Sequence, residues 1–250
     1  MSALPLARAL SQLAVASRGR AVTLIREGRV RVDGRVVRDP MFAVPVTRAR
    51  IDVDGQPCKR PAWRSILFHK PRGVVTTTRD PEGRKTVFDV LGAAGIGLRA
   101  VGRLDLASTG LLLLTNDTHL ADWLTDPANA IPRLYVITVR GRVVDTDVPQ
   151  MTVGIADDRG RVSASAVTIL KASNRETHLA VELRQGRNRE VRRLFAAFDH
   201  EVTRLKRVAF GGLELGEIPP GTWRELKPDD FRQAFGPEVP LAEQRRRSER

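Results

Sequence analysis

The clearest pattern in the chain is an uninterrupted apolar run just before its midpoint. Four consecutive leucines, Leu111 to Leu114, stand between Gly110 and Asn116, and a short apolar run bounded by turn residues predicts a buried strand. A polar loop precedes this strand, and in it Asp105 follows Arg103 by two positions. Because a rigid element can hold the side chains of its loops in place, Asp105 is a candidate catalytic carboxylate.

The first sixty residues predict a small unit of two helices followed by short strands. Leucines recur at helical spacing over residues 6–13, and Ser17 can cap a second helix that ends at Gly28. Residues 30–37 predict a hairpin around an Asp-Gly turn, with a third short strand after it. Residues 56–62 contain two prolines and predict a linker.

Residues 61–235 predict a larger domain that is rich in strands. Many strands and few helices, without regular alternation, predict an α+β fold. From residue 236 to residue 250 the chain is polar and ends in arginines, which predicts a basic disordered tail. The predicted elements are strands at residues 64–68, 134–139 and 177–183, a strand pair within 151–170, and helices at 87–91 and 189–198.

The charge of the chain narrows the class of partner. Its 250 residues include 42 Lys and Arg against 29 Asp and Glu, which gives a formal charge of +13 and a pI near 11.2. Such an excess favours a polyanionic partner, and RNA or DNA fits better than a membrane. No apolar run is long enough to span a bilayer, and the N-terminus lacks the pattern of a secretory signal, so we expect a cytoplasmic protein.

The use of cysteine and histidine predicts neither a disulfide nor a metal site. Cys58 is the single cysteine, so no disulfide can form within the chain. The four histidines are scattered and have no cysteine partners at zinc spacing, so we expect no bound metal.

Two further segments carry candidate functional side chains. Tyr135, the single tyrosine, lies in a predicted strand, where it can be an ordinary core aromatic. One later predicted helix places Arg189, Arg192 and Arg193 on one face, with apolar residues opposite. Taken alone, that pattern fits any basic surface helix.

Together these segments resemble the pseudouridine synthases, in particular the branch that modifies bacterial ribosomal RNA. The stretch Val101 to Asp117 resembles the catalytic motif of that family, and residues 69–77 resemble its first conserved segment. Residues 16–18 and 25–34 resemble the RNA-binding domain named after the fourth protein of the small ribosomal subunit. The resemblance covers residues 4–230 in matching order. The arginines expected to bind RNA in the N-terminal domain are Arg18, Arg20, Arg26, Arg29 and Arg31.

The resemblance implies a role for each candidate side chain. Asp105 would be the catalytic carboxylate, Tyr135 would face the flipped base, and Arg192 would pair with Asp105 and keep it charged. Arg133 stands where the family has a lysine, which keeps the charge but not the geometry. Leu205 would pack in the active site. The other residues expected to contact the substrate are Arg103, Lys70, Arg189 and Arg193, the last two through phosphates.

The resemblance also implies a mixed, mostly antiparallel sheet with the active site in a cleft across it. Isomerising uridine breaks the bond from the ribose to N1 of uracil and rejoins the base through C5, so neither a redox step nor a group donor is needed and we expect no cofactor. The carboxylate can act as a nucleophile or as a base, and the residues leave both routes open. We expect the protein to be a monomer.

The identity of the RNA and the presence of activity leave alternatives. Residues 186–194 resemble the enzymes of large-subunit (23S) RNA more than those of small-subunit (16S) RNA, so 23S ribosomal RNA is the expected partner and 16S the alternative. A catalytically silent RNA-binding or ribosome-assembly protein of the same fold would share the charge, but it would not need Asp105, Tyr135 and Arg192 together. A DNA-binding protein is disfavoured, since the chain lacks a helix-turn-helix or zinc-finger pattern.

Overall fold

The chain divides into two compact units, residues 1–63 and residues 64–250. Each unit has its own cluster of buried apolar side chains. Among the described residues, no helix has the length and apolar character that crossing a membrane requires. The computed structural model describes residues 3–13, 15–45, 48–59, 61–157 and 160–241.

The N-terminal unit combines two short helices with a small antiparallel sheet. Its helices are α1 (Leu6–Gln12) and α2 (Arg18–Arg26), and its strands are β1 (Leu4–Pro5), β2 (Val30–Val32), β3 (Arg35–Val36), β4 (Ala43–Val44), β5 (Ile51–Val53) and β6 (Gln56–Pro57). The sheet has the order β3-β2-β5-β6, and β1 pairs with β4. This arrangement confirms the predicted order of helix, helix and hairpin.

Local sequence explains the boundaries of these elements. The hydroxyl of Ser17 caps α2 by accepting a hydrogen bond from the Arg20 amide at 3.4 Å. Asp33 and Gly34 adopt φ values of 50° and 81°, as a tight hairpin turn between right-twisted strands requires. The predicted linker is wrong at its start, because Gln56–Pro57 forms β6 and pairs with β5. Proline is tolerated there because β6 is an edge strand, where its missing N–H breaks no ladder.

The larger unit is built on one extended sheet. Its strands are β7 (Ser65–Lys70), β8 (Arg99–Val101), β9 (Thr109–Thr115), β10 (Arg133–Arg140), β11 (Ile155–Asp157), β12 (Gly160–Val162), β13 (Ala166–Ala172), β14 (Glu176–Leu183), β15 (Val202–Phe210), β16 (Leu213–Glu214) and β17 (Trp223–Leu226). Its helices are α3 (Val87–Leu91), α4 (Thr118–Thr125), α5 (Val148–Val153), α6 (Glu190–Ala196) and α7 (Pro228–Phe235), with 3₁₀ turns at Gly92–Gly95 and Pro127–Asn129.

The sheet is mixed and mostly antiparallel, which confirms the predicted α+β class. The strand order is β13-β14-β10-β15-β9-β7-β17, with β16 added to β15 and β8 added to β9. Among the described residues, every strand pairing in this sheet is antiparallel except that of β9 with β15. The hairpin of β11 and β12 lies outside this sheet.

The strand β9 is the predicted run of leucines. It lies between β7 and β15, and all four leucines are buried to 1% exposure or less. Leu112 and Leu114 share the main apolar cluster with Ile66 and Phe68 of the neighbouring strand. Because β9 is covered on both faces, its sequence is continuously apolar and does not alternate. The strand thereby anchors the loop that carries Asp105.

The parallel contact between β9 and β15 depends on Gly110. Gly110 faces Arg207 in the ladder, and a Cβ atom added to Gly110 would lie 2.2 Å from the Arg207 carbonyl oxygen. The φ angle of Gly110 is 105°, a region that L side chains rarely adopt. A glycine is therefore required at the position where the Asp105 loop enters the sheet.

Three features of the larger unit differ from the sequence prediction or extend it. The helix α4 was not predicted; it begins where the Asp117 carboxylate accepts hydrogen bonds from the amides of His119 and Leu120 at 3.1 and 3.2 Å. The helix α7 was also not predicted. The tail was predicted from residue 236, yet Val239 and Leu241 are buried and extend the packed region to residue 241. The remainder of that tail, 242–250, lies outside the described residues.

Candidate active site

The loop of Asp105 is held from both sides by the segment that follows β7. The Thr76 hydroxyl donates to the Leu104 carbonyl at 2.8 Å and accepts from the Leu104 amide at 3.3 Å. On the other side of Asp105, the Gly73 amide donates to the Leu106 carbonyl at 2.9 Å. Both neighbours of Asp105 are thus hydrogen-bonded to one segment, and the carboxylate between them remains 31% exposed.

Lys70 supports the same loop from below. Its side chain is fully buried, and its Nζ atom donates to the carbonyl oxygens of Ser108 at 2.8 Å and Pro71 at 3.1 Å. Burial lowers the pKa of Lys70 to about 8, and the nearby charge of Asp105 opposes that shift. The prediction that Lys70 contacts the substrate is wrong for this geometry, because the ammonium group lies inside the domain.

Two strands of the sheet supply the apolar wall of the site. Tyr135 lies on β10 opposite Arg207 of β15, at a register shift, and it is 8% exposed. Leu205 lies opposite Ile137 on the same pair of strands and is buried. The carbonyl of Leu205 also accepts a hydrogen bond from the Thr109 hydroxyl at 3.4 Å. An aromatic ring and an aliphatic side chain therefore line the cleft beside the parallel junction.

These residues meet in one cavity of about 340 Å³, within the size range of small-molecule sites. The cavity brings together segments that are up to about a hundred positions apart in the chain, which the sequence had singled out independently. The predicted site residues that line it are Arg103, Asp105, Arg133, Tyr135, Arg189, Arg192 and Leu205. Lys70 and Arg193 do not belong to this lining.

The arginines around α6 are arranged differently from the prediction. Arg189 is not part of the helix but caps it with φ 50°, and its Nη1 atom lies 3.8 Å from Oδ2 of Asp105. Arg192 was predicted to pair with Asp105; instead its Nη1 atom donates to the Val202 carbonyl at 2.5 Å. The left-handed residue at the helix start turns the chain, so Arg189 projects toward the loop while Arg192 lies over β15.

Arg193 is occupied by a partner within the protein. Its Nε atom donates to Oδ2 of Asp157 at 2.6 Å, its Nη2 atom bonds the other oxygen of that carboxylate, and the side chain is 13% exposed. Nη2 also donates to the Gly160 carbonyl at 3.0 Å. The prediction that Arg193 mainly meets phosphates is therefore wrong, because this residue joins α6 to the hairpin of β11 and β12.

Two further cations are buried against the cavity. Arg133 donates to the carbonyls of Ile131 at 3.0 Å and Arg184 at 3.1 Å, and its guanidinium lies 5.0 Å from the centre of the Phe210 ring. Burial lowers the pKa of Arg133. Arg207 contacts the same ring at 5.3 Å, and its Nε atom donates to a carbonyl of β9 at 2.7 Å. The site is therefore electropositive, which suits an anionic substrate.

Comparison with known proteins identifies the fold family. Residues 64–197 match the family described as RNA pseudouridylate synthase, and residues 4–48 match the S4 domain. A relative from Aquifex aeolicus (strain VF5), named an uncharacterized RNA pseudouridine synthase, is 38% identical over 227 residues, which are 90% of this chain and 91% of the relative. The chain belongs to the RNA pseudouridine synthase family.

Other similar proteins agree in length and fold. A Bacillus subtilis (strain 168) protein named ribosomal large subunit pseudouridine synthase B is 35% identical over 231 residues, 91% of this chain and 94% of that protein. A crystal structure of a pseudouridylate synthase superposes with a TM-score of 0.63 at 22% identity, covering 92% of this chain and 99% of that one. At that identity the superposition shows a shared fold.

In this pseudouridine synthase, two residues that shape the site were not predicted from the sequence. In the sequence, nothing distinguishes Thr76 from any other strand or loop threonine. In the structure its hydroxyl makes hydrogen bonds to both the carbonyl and the amide of Leu104. Glu190 is buried at the start of α6 and accepts a hydrogen bond from the Arg187 amide at 2.9 Å, which orders the turn before the helix. An acidic residue in a first helical turn was the available signal for Glu190.

The arginines of the N-terminal unit are not equivalent. Arg29 makes a bidentate ion pair with Asp54, at 2.8 and 2.6 Å, and a second ion pair with Glu27 at 3.2 Å. This pairing lowers the pKa of Asp54 and ties Arg29 to the turn after β5. The other four predicted RNA-binding residues, Arg18, Arg20, Arg26 and Arg31, are exposed.

Proposed function

We propose that this protein isomerises specific uridines of ribosomal RNA to pseudouridine, with Asp105 as the catalytic carboxylate. The observation that carries the proposal is the meeting of Asp105, Tyr135, Leu205 and Arg192 in one cavity. A silent RNA-binding protein needs no exposed carboxylate in an electropositive cleft. A carboxylate beside a phosphate would repel it, so the placement of Asp105 favours chemistry over simple binding.

The reaction assigns work to each of these groups. The bond between C1′ of the ribose and N1 of uracil breaks, the base turns, and C1′ bonds to C5; the hydrogen on C5 leaves as a proton and N1 takes up a proton. Asp105 acts at the ribose, either as a nucleophile at C1′ or as a base at the neighbouring carbon. The ring of Tyr135 holds the detached uracil by stacking, and Leu205 excludes water beside it.

Two arginines, Arg189 and Arg192, lie in the same cavity as the carboxylate. Arg189 lies 3.8 Å from Asp105 with half of its side chain exposed, so it can move with an incoming nucleotide. Arg192 has Nε and Nη2 atoms that are buried without a hydrogen-bond partner in the described part of the chain. A buried donor without a partner costs free energy. We therefore expect both atoms to gain an acceptor when RNA binds, either the carboxylate of Asp105 or a phosphate of the RNA.

We propose 23S ribosomal RNA as the substrate, with 16S RNA as the alternative. Support comes from the resemblance of residues 186–194 to large-subunit enzymes and from the name of the Bacillus subtilis relative. We further propose that the enzyme works in the cytoplasm, where its ribosomal RNA target would lie, and that it acts as a monomer. The exposed arginines of the S4 unit supply a second attachment to RNA.

The decisive test compares cells with and without the protein by mapping pseudouridine in both ribosomal RNAs. Loss of a 23S modification supports the proposal, and loss of a 16S modification supports the alternative. In vitro, the wild-type protein should release tritium from RNA labelled at C5 of uridine, whereas Asp105→Asn should release none while it still binds RNA. Appreciable turnover by Asp105→Asn would remove the catalytic assignment.

A further inference from the structure

A second concave surface lies next to the active site and is rich in arginine. We call it the arginine groove; it encloses about 740 Å³. Its walls come from the end of β10, the beginnings of β14 and β15, the helix α6, and the loops that carry Arg72 and Ala107. The cations that line it are Arg72, Arg140, Arg175, Arg192 and Arg204, and the acids are Glu176 and Glu201.

The acids do not neutralise the arginine groove. Glu201 lies 3.4 Å from Arg140, and Glu176 lies 3.1 Å from a ring nitrogen of His178. In the part of the chain that the structure describes, the other exposed arginines of the groove have no ion pair; they are Arg72, Arg175 and Arg204. Several like charges thus face one concave surface, and their repulsion would be relieved by a bound polyanion.

The arginine groove adjoins the active-site cavity. Arg192 lines both, and Ala107, two residues after Asp105, lines the groove. Burial lowers the pKa of Arg192, and the charges of Arg189 and Arg72 lower it further while Asp105 opposes them. When one nucleotide is bound at Asp105, the RNA strand on either side of it must leave the cavity. The groove provides a positively charged path for one of these two strand segments.

We propose that the arginine groove binds the phosphate backbone of the RNA that adjoins the target uridine, an inference that rests on the proposed function. Guanidinium groups present a planar pair of donors that matches phosphate oxygens, and the groove offers several of them in sequence. Contacts of this kind position RNA without reading its sequence. The groove therefore sets the register in which a strand presents one base to Asp105.

The test uses the double variant Arg175→Gln/Arg204→Gln. Arg224→Gln is the matched control, because Arg224 is exposed on β17, separated from β10 by three strands, and has no ion pair among the described residues. Fluorescein-labelled oligouridylates of increasing length are bound to the intact proteins at several salt concentrations. The affinity is read from fluorescence anisotropy.

For the wild type we expect affinity to rise with length beyond the few nucleotides that fill the active site. In the double variant this rise should be lost, and the slope of log K against log salt should become shallower by about 0.7 for each contact removed. Arg224→Gln should follow the wild type. The proposal is overturned if the double variant matches Arg224→Gln in both salt slope and length dependence. It is also overturned if the salt slope becomes shallower while the length dependence is unchanged, because that result would mean long-range attraction without contact.

These binding measurements require no chemistry. Failure of the wild-type protein to release tritium from labelled RNA would therefore count against the proposed isomerase function, while the length dependence still decides whether the groove holds RNA.

Discussion

The Nζ atom of Lys70 lies 2.8 Å from the carbonyl oxygen of Ser108, so a buried ammonium group fixes the chain three residues beyond Asp105. Burying the charged ammonium group costs free energy, because a buried cation loses its hydration. Two carbonyl oxygens and the field of Asp105 compensate in part. Lys70 is thus a positioning residue for the loop of Asp105.

The lowered pKa of Lys70 predicts a pH-dependent stability. In the folded protein burial lowers the pKa to about 8 from an ordinary value of 10.5. Between these values the unfolded chain keeps the proton that the folded chain has released, so the contribution of Lys70 to the free energy of unfolding rises as pH rises. We expect wild type to gain about 1 kcal/mol over Lys70→Met between pH 7 and pH 9.

Urea unfolding of both proteins at these two pH values measures the difference. Lys171→Met, at an exposed position of β13, controls for the loss of a surface charge. A gap between wild type and Lys70→Met that stays constant from pH 7 to pH 9 would show that Lys70 does not titrate in this range.

Thr76 is expected to affect turnover more than affinity for RNA. Its hydroxyl makes two hydrogen bonds to Leu104, and a net hydrogen bond contributes about 1 kcal/mol. Thr76→Val keeps the shape but frees the loop, so kcat should fall about tenfold with little change in KM. Thr76→Ser retains the hydroxyl and should restore kcat. Tritium release at varied RNA concentration separates the two constants, and equal activity of the valine and serine variants would contradict a positioning role.

The strands could be read from the sequence because their signals are local. The run of leucines predicted β9, and the apolar segment 87–91 matches α3, which Thr86 caps together with Asp89. Seven residues of the cavity were also identified, because they lie in segments that resemble motifs of the family, whereas Glu190, Arg207 and Phe210 were not. What local pattern cannot supply is the partner of a long side chain.

The arginines show this limit. The predicted helical face began at Arg189 and required that residue to be helical. In the structure Arg189 has a left-handed conformation, so the helix begins one residue later. Arg193 meets Asp157 because the hairpin of β11 and β12 folds back, an event more than thirty residues away in the chain. Likewise, the sequence indicates that Lys70 is the exposed end of a strand, whereas in the structure the loop of Asp105 covers it.

Arg189 and Arg193 are therefore expected to differ in what they support. Arg193→Ala removes the guanidinium group that pairs with the partly buried carboxylate of Asp157, and it should lower the free energy of unfolding by about 2 kcal/mol. Arg189→Ala removes a long, half-exposed contact and should change stability by less than about 0.5 kcal/mol, but it should reduce kcat. Each variant loses one guanidinium group, so each controls for the other. Unfolding curves and single-turnover rates are compared, and identical effects on both would refute the assignment.

The junction of β9 and β15 makes Gly110 sensitive to substitution. An alanine there would place its methyl group 2.2 Å from the Arg207 carbonyl oxygen and would adopt φ 105°, so either the ladder separates or the loop of Asp105 moves. We expect Gly110→Ala to lose more than about 4 kcal/mol of stability, at the severe end of single substitutions. Gly83→Ala has φ 70° and open space around it, so it carries only the backbone cost of about 1 kcal/mol. Urea unfolding followed by tryptophan fluorescence measures both, and a Gly110→Ala protein that unfolds at the same midpoint as Gly83→Ala would show that the close approach of the two strands is not required.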